Sequence, residues 1–210
     1  MSYRSINAIT RSITTLLQDR LAADATLRPF FDAGVGGNMD VSPRSPEEMD
    51  DGDQSGLSVW LYQIRRDPEL LNLPPRRISA DQIEPERLPL RLHYLMTPVV
   101  NFDDAVGNDP GLEQLIIGKV LQTHYDHPHL TGPDLLGDLA GSDSTITIRL
   151  ESLGLEEITR VWDALSSTYQ LCISYEVSFV MVCSDAPEVA ITPVDSVEIA
   201  SGTIVEVAEP

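Results

Sequence analysis

The sequence feature that most constrains the fold is a set of runs in which apolar side chains alternate along the chain. In residues 171–182 the odd-numbered positions are all apolar, and they are Leu171, Ile173, Tyr175, Val177, Phe179 and Met181. The even-numbered positions, which form the other parity, begin polar and turn apolar. Side chains two residues apart share one face of a strand. Residues 88–96 and 144–150 alternate similarly, and residues 56–64 are apolar on both parities, as in a central strand. The sequence therefore predicts four strands.

Three segments carry the spacing of amphipathic helices. In residues 5–22 the apolar side chains recur at intervals of three and four, and they are Ile6, Ile9, Ile13, Leu16, Leu17 and Leu21. Residues 109–125 and 155–168 carry similar stripes, and Trp162 is predicted to anchor a core. Together these patterns predict an α+β fold, in which a mostly antiparallel four-stranded sheet has helices packed on one face.

Two long segments and the C-terminal tail lack such patterns. Residues 32–56 are rich in Gly, Pro, Ser and acidic residues, and residues 67–87 hold four prolines, so both are predicted to be flexible, irregular insertions. Residues 186–210 contain no basic residue but carry short β-branched runs. They are predicted to form an extended, β-prone acidic tail that follows a domain of residues 1–185.

The net charge of −19, from 33 acidic and 14 basic residues, limits the possible partners. Phosphates and anionic lipids would be repelled, so neither nucleic acid nor a membrane is expected as a partner. Only Lys119 is a lysine. This composition fits a protein from a halophile, where salt screens the repulsion, and it equally fits an acidic protein from a GC-rich genome. The first residues lack a signal-peptide pattern, which predicts a cytoplasmic protein.

The clearest candidate for metal chemistry is the motif HYDHPH, with His124, Asp126, His127 and His129. Three imidazoles and a carboxylate could bind zinc. Their spacing fits no rigid ligand pattern, and basic side chains near a helix C-terminus also stabilise the helix dipole, which is the preferred interpretation. Acidic pairs such as Glu47 and Glu48 fall in predicted loops, where solvated carboxylates make a poor acid–base pair. No catalytic residue, bound metal or cofactor is therefore predicted.

Candidate contact residues fall in two segments. Six of the 14 basic residues are close in sequence, and they are Arg65, Arg66, Arg76, Arg77, Arg87 and Arg91. Arginine is enriched at protein interfaces, so an acidic protein surface, such as a neighbouring copy, is one partner. Pairing with nearby acidic residues of the same chain is the alternative. In the tail, the residues suited to strand addition are Val189, Ile191, Val197, Ile199, Ile204, Val205 and Val207.

Several segments, taken in order, resemble one protein family. They are SINAITRSITTLLQDRL, LSVWLYQIRRDPELLN, PLRLHYLMTP, GLEQLIIGKVLQTHYDHPHL and ITRVWDALSSTYQLCISYEVSFVMV. Over residues 5–185 their order and spacing are similar to those of the terminator or cap proteins of extracellular contractile injection systems of the antifeeding-prophage type. The resemblance implies the fold of phage tail terminators and a structural protein rather than an enzyme.

The resemblance also implies a role and a set of partners. Such a protein forms a homo-hexameric ring at the baseplate-distal end of a phage-tail-like particle, binds the inner tube protein and the sheath protein, and ends the polymerisation of both. It would be assembled in the cytoplasm and leave the cell only with the particle. Two alternatives stay open: a monomeric adaptor that binds a ligand or partner, and a metal-dependent hydrolase that uses the HYDHPH motif.

Overall fold

The computed structural model of the protein describes residues 3–71, 77, 79, 82–83, 87–100, 110–183 and 189–190. The helices are α1 (Ser5–Ala23), α2 (Arg28–Phe31), α3 (Pro46–Asp51), α4 (Pro110–Asp126) and α5 (Leu155–Leu165). The strands are β1 (Asp40–Ser42), β2 (Gly56–Arg66), β3 (Gln82–Ile83), β4 (Leu88–Val99), β5 (His129–Thr131), β6 (Thr145–Leu150), β7 (Ile173–Val182) and β8 (Val189–Ala190). The three predicted helices are confirmed as α1, α4 and α5.

Six strands form the main sheet, in the order β1-β2-β4-β7-β6-β5. Neighbouring strands are antiparallel except β1 and β2, which are parallel. The four strands predicted from alternation are confirmed as β2, β4, β6 and β7, and they lie together in the sheet. The predicted total of four is corrected to six, because β1 and β5 extend the two edges. Each edge strand has three residues, which is too short for a period to show in sequence.

The sequence predicted that one parity of strand β7 faces inward along its whole length, but the structure differs. Leu92 of β4 pairs with Val177, whereas Leu90 pairs with Val180, so two residues of β7 lie opposite one residue of β4. Such a bulge moves every later side chain to the other face of the strand. Val177 and Val180 are accordingly both fully buried in the same core. The bulge explains why the second parity of this strand turns apolar.

The larger core lies between helices α1 and α4 and one face of the sheet. Helix α1 turns its apolar stripe inward, so that Ile9, Ile13 and Leu17 are fully buried. Burial of a large aliphatic side chain stabilises the fold by about 1.5 to 3 kcal/mol, so this stripe is enough to hold α1 on the sheet. The strand side chains in the same core include Leu57, Val59, Leu92, Tyr94, Met96, Ile148 and Val177.

Helix α5 lies on the opposite face of the sheet, where a second core forms. Trp162 is 1% exposed and shares this core with Leu95, Leu165 and Cys172. Leu95 has the other parity from Tyr94, so its side chain points away from α1. The indole Nε1 of Trp162 donates a hydrogen bond to Cys172 Sγ at 3.4 Å. The prediction of Trp162 as a core anchor is confirmed, but the prediction of helices on one face only is wrong.

Residues 32–56, predicted to be a flexible insertion, are folded. They contain β1 and α3, and Met39 and Met49 are only 4% and 0% exposed. The prediction was wrong because composition averages over the segment, and two isolated methionines leave no periodic signal although they fill gaps in a core well. Glu47 and Glu48 lie exposed in the first turn of α3 rather than in a loop. Negative side chains favour that position at a helix N-terminus.

Two local features fix the course of this segment. The hydroxyl oxygen of Ser45 accepts a hydrogen bond from the Glu48 backbone N–H, and the Glu48 carboxylate accepts one from the Ser45 N–H, which together start α3. Gly56 opens β2 with a φ of 147°, and a Cβ there would lie 2.0 Å from the carbonyl oxygen of Asp40. Glycine is therefore required where β1 approaches β2.

The second predicted insertion, residues 67–87, and the tail are described in part. Pro68–Leu70 form a 3₁₀ turn, and β3 pairs antiparallel with β8, with Ile83 opposite Val189. The start of the tail thus lies beside this insertion. The residues predicted as contacts that lie outside the described part of the chain are Arg76, Ile191, Val197, Ile199, Ile204, Val205 and Val207. Within the described part, no helix has the length and apolar character needed to cross a membrane.

Candidate interaction surfaces

Most of the described arginines of the predicted contact segment are exposed at one end of the sheet. Arg65 and Arg66 end β2, and the strand loses its cover there because its last four residues are all exposed. In register, Arg65 lies opposite Arg91 and Arg66 lies opposite Leu90. Arg87 comes just before β4 and is exposed, as is Arg77. The register of β2 and β4 therefore brings Arg65, Arg66 and Arg87 to one region, which we call the arginine patch.

Arg91 differs from the arginine patch because it binds within the chain. Its Nη2 lies 3.0 Å from Asp67 Oδ1 and 3.2 Å from Glu69 Oε1, and its Nη1 lies 3.3 Å from Glu176 Oε2. The hydrogen bond to Asp67 and the surrounding carboxylates raise the pKa of Arg91 above its usual value. Arg91 therefore pairs with acidic residues of its own chain, which was the alternative to an intermolecular contact. It ties the second insertion, through Asp67 and Glu69, to the centre of the sheet.

The HYDHPH motif does not form a metal site, because its imidazoles face different neighbours. His124 is 2% exposed and packs edge-on against Tyr175, with ring centroids 4.7 Å apart. His127 Nε2 lies 2.9 Å from Arg20 Nη2, and His129 Nδ1 lies 3.0 Å from Thr147 Oγ1. The metal-dependent hydrolase that used this motif therefore has no support in the geometry.

The helix-dipole interpretation also fails for His124, the histidine in the last turn of α4. Burial, aided by the positive charge available to His127, lowers the pKa of His124 to about 4. The imidazole is therefore neutral at pH 7 and carries no charge to interact with the helix end. Within the described part of the chain, neither of its ring nitrogens has a hydrogen-bond partner. His124 is a core residue that also forms part of the floor of an apolar groove.

That groove lies between the end of α4 and strands β6 and β7 and has a volume of about 670 Å³. Its lining is almost wholly apolar, and Tyr125 and Leu150 are 86% and 54% exposed at its rim. Both side chains line the same groove, so their exposed apolar parts add to its apolar lining. The described fold thus presents an apolar surface in addition to the charged arginine patch.

A buried polar cluster lies under α5 and was not predicted from the sequence. His93 Nδ1 lies 2.9 Å from Glu151 Oε1, the Ser174 hydroxyl donates to Glu151 Oε2 at 2.6 Å, and the Tyr62 and Ser174 hydroxyls are 3.2 Å apart. Burial raises the pKa of Glu151, but the hydrogen bonds from His93 and Ser174, with the positive charge of Arg65, have the larger effect and the pKa is lowered. The sequence indicated one part of this cluster: the alternation of β4 places His93 on the opposite face from Leu92 and Tyr94.

Two solved structures have a similar fold. One is the sheath/tube terminator of PVC, an extracellular contractile injection system, in its extended state; the TM-score is 0.57 at 17% identity, and the match covers 99% of this chain and 66% of that chain. The other is the tube-terminating cap of the anti-feeding prophage, with a TM-score of 0.52 at 18% identity, covering 90% of this chain and 60% of that one. This chain thus spans less than two thirds of the length of either protein. No curated protein matches the sequence.

The likeness to these structures covers nine tenths or more of this chain, and at such low identity it shows a shared fold. A family model gives the relationship at the level of sequence, because it matches residues 8–196, a range that includes every strand described above. By that match the chain belongs to the Pvc16 N-terminal domain family.

Proposed function

We propose that this protein is a terminator of a contractile injection particle. In this role it forms a homo-hexameric ring at the baseplate-distal end, stops the polymerisation of the inner tube and the sheath, and holds the two together. The observation that carries the proposal is the likeness to a sheath/tube terminator over 99% of this chain. The protein is then a structural component and not an enzyme, and it is assembled in the cytoplasm with the rest of the particle.

Charge sets a condition on such a ring. Each chain carries a net charge of −19, so neighbouring copies repel one another. A ring uses heterologous contacts, in which different surfaces of the chain meet, so the arginine patch of one copy can face an acidic surface of the next. Exposed ion pairs contribute only about 0 to 1 kcal/mol each, which is small against the repulsion of whole chains. Salt screens that repulsion, so we expect the ring to form more readily as salt concentration rises.

The tail, residues 186–210, supplies the second contact as a segment distinct from the domain of residues 1–185. Within the chain, Val189 of β8 pairs with Ile83 of β3. A two-residue strand pair is too short to be stable by itself, and further strands from a neighbouring subunit or the sheath protein would extend it. Strand addition through main-chain hydrogen bonds suits a joint that is pulled along its length.

The direct test is electron microscopy of particles made with and without this protein. With it, tubes and sheaths should have one length and carry a ring of six subunits at the end distal to the baseplate. Without it, lengths should vary and contracted sheaths should slip from their tubes. Uniform, intact particles in its absence would contradict the proposal, and a monomer that never joins particles would favour the adaptor.

The contribution of the tail has its own test. Deletion of residues 186–210 should leave the main sheet folded, because the last of its six strands along the chain ends at Val182. Particles made with the shortened protein should lose the end ring or release their sheaths on contraction. A triple substitution of Arg65, Arg66 and Arg87 to Gln is the matched probe of the arginine patch. Normal sheath ends with the shortened protein would show that the tail is not a contact.

A further inference from the structure

Three side chains of the types that bind divalent metal ions converge on the face of the sheet that α5 covers. His93 on β4 and Glu176 on β7 are partners in register, and Glu151 directly follows β6. One ligand atom from each of the three residues lies within 4.8 Å of the others. Atoms that bind one Zn²⁺ lie about 2.1 Å from it, and hence about 3 to 4 Å from one another. Small rotations of the two carboxylates therefore suffice to bring all three onto one ion.

Burial distinguishes this group from the acidic clusters that are common on protein surfaces. His93 is 3% exposed, and the side chains of Glu151 and Glu176 are 16% and 17% exposed. His93 Nε2 is buried and has no hydrogen-bond partner among the residues that the structure describes. Buried polar atoms are almost always partnered. Nδ1 of the same ring lies 2.9 Å from Glu151 Oε1, so the imidazole faces a carboxylate with one nitrogen and has a second nitrogen that can take a ligand. Both His93 and Glu151 line a cavity of about 430 Å³, which leaves room for an ion and its water.

The surrounding hydrogen bonds hold the ligands in a suitable state. The Ser174 hydroxyl fixes one oxygen of Glu151, and fixed outer partners of this kind orient metal ligands. Glu176 contacts Arg91 at 3.3 Å, but Arg91 also has shorter contacts with two other carboxylates, those of Asp67 and Glu69. Arg91 thus keeps two carboxylate partners if Glu176 binds a cation.

We propose that His93, Glu151 and Glu176 bind one divalent transition-metal ion, with water completing the coordination. An imidazole among the ligands favours Zn²⁺ or a similar ion over Mg²⁺ and Ca²⁺, which prefer oxygen ligands alone. The ligands come from β4, β7 and the connection between β6 and α5. The ion is a structural tie that fastens these strands beneath α5, and the proposal stands whether or not the protein terminates a tube.

The test measures Zn²⁺ binding to the full chain after treatment with a chelator and dialysis. Calorimetry should give one Zn²⁺ per chain, Co²⁺ in its place should give visible absorption bands, and added Zn²⁺ should raise the melting temperature. Glu176→Gln and Glu151→Gln should each weaken Zn²⁺ binding about tenfold or more. These changes keep the size of the side chain, and circular dichroism checks that the variants fold.

Two control variants separate this site from other sources of binding. Glu157→Gln changes a carboxylate that lines the same cavity but is not in the group, and His127→Gln changes the HYDHPH motif. Both should bind Zn²⁺ as the unchanged protein does. The proposal is overturned if the unchanged protein binds no Zn²⁺, if Glu176→Gln binds it as tightly as Glu157→Gln does, or if only His127→Gln loses it.

Discussion

Acid should destabilise this protein through one buried histidine, His124. Its pKa is lowered from 6.5 to about 4 by burial in the folded protein, whereas the unfolded chain keeps the ordinary value. Between these two values the unfolded chain binds a proton that the folded protein does not, so stability falls as the pH is lowered. The shift of about 2.5 pH units corresponds to about 3 kcal/mol in total, of which about 2 kcal/mol is lost between pH 7 and pH 5.

The measurement is urea unfolding at several pH values between 7.5 and 4.5, at constant high salt. Many carboxylates also titrate near the lower end of this range, so the comparison is with His124→Leu, which has no imidazole to protonate. The Leu variant should be at least as stable as the unchanged protein at pH 7, because neither ring nitrogen of His124 has a hydrogen-bond partner to lose among the described residues. At pH 5 its advantage should grow by about 2 kcal/mol.

The matched control is His129→Gln, which changes an exposed histidine of the same motif. This variant should follow the pH dependence of the unchanged protein. Equal losses of stability in the unchanged protein and in His124→Leu between pH 7 and pH 5 would refute the reasoning. A large loss in His124→Leu at pH 7 would instead indicate that the imidazole is charged and stabilises the end of α4.

Three further predictions concern stability at neutral pH, measured by urea unfolding. Trp162→Ala should cost about 3 to 5 kcal/mol because it empties the core under α5, and Trp162→Phe should cost less; an equal cost would contradict cavity formation as the cause. Gly56→Ala should cost about 2 kcal/mol or more, since its Cβ would meet Asp40, whereas Gly118→Ala, with open space around it, should be neutral or stabilising. Arg91→Met should cost about 3 kcal/mol because it leaves the buried Asp67 carboxylate without its cation, and adding Asp67→Asn should recover part of this loss.

The main framework could be predicted from sequence because its signals are local. The inward stripe of α1 and the alternation of β4 follow from the fixed geometry of a helix and a strand, and both are confirmed. The insertion at residues 32–56 was missed because its two buried methionines, Met39 and Met49, leave no periodic signal in the sequence. The side on which α5 packs was missed for a related reason. An apolar stripe requires a partner surface, but it does not say which of two apolar sheet faces supplies it.

The candidate sites depended on the tertiary structure to a greater degree. The six neighbouring arginines looked alike in sequence, yet the register of β2 and β4 exposes Arg65 and surrounds Arg91 with carboxylates. Likewise His124 and His127 are three residues apart, but one is buried and the other faces Arg20. Sequence spacing gives the chemical types of these side chains, whereas solvent exposure and charged neighbours decide their ionisation and availability.

The sequence by itself determined which surfaces of each element must be buried, the acidic charge that disfavours phosphate-bearing partners, and the family to which the ordered segments belong. The tertiary structure alone decided the strand order, the bulge in β7, and the meeting of His93, Glu151 and Glu176 from separate parts of the chain. The physical reason is that periodicity reports the energetics of burial one element at a time. Convergence depends on pairing between distant strands, and a one-residue change in that register would turn these three side chains away from one another.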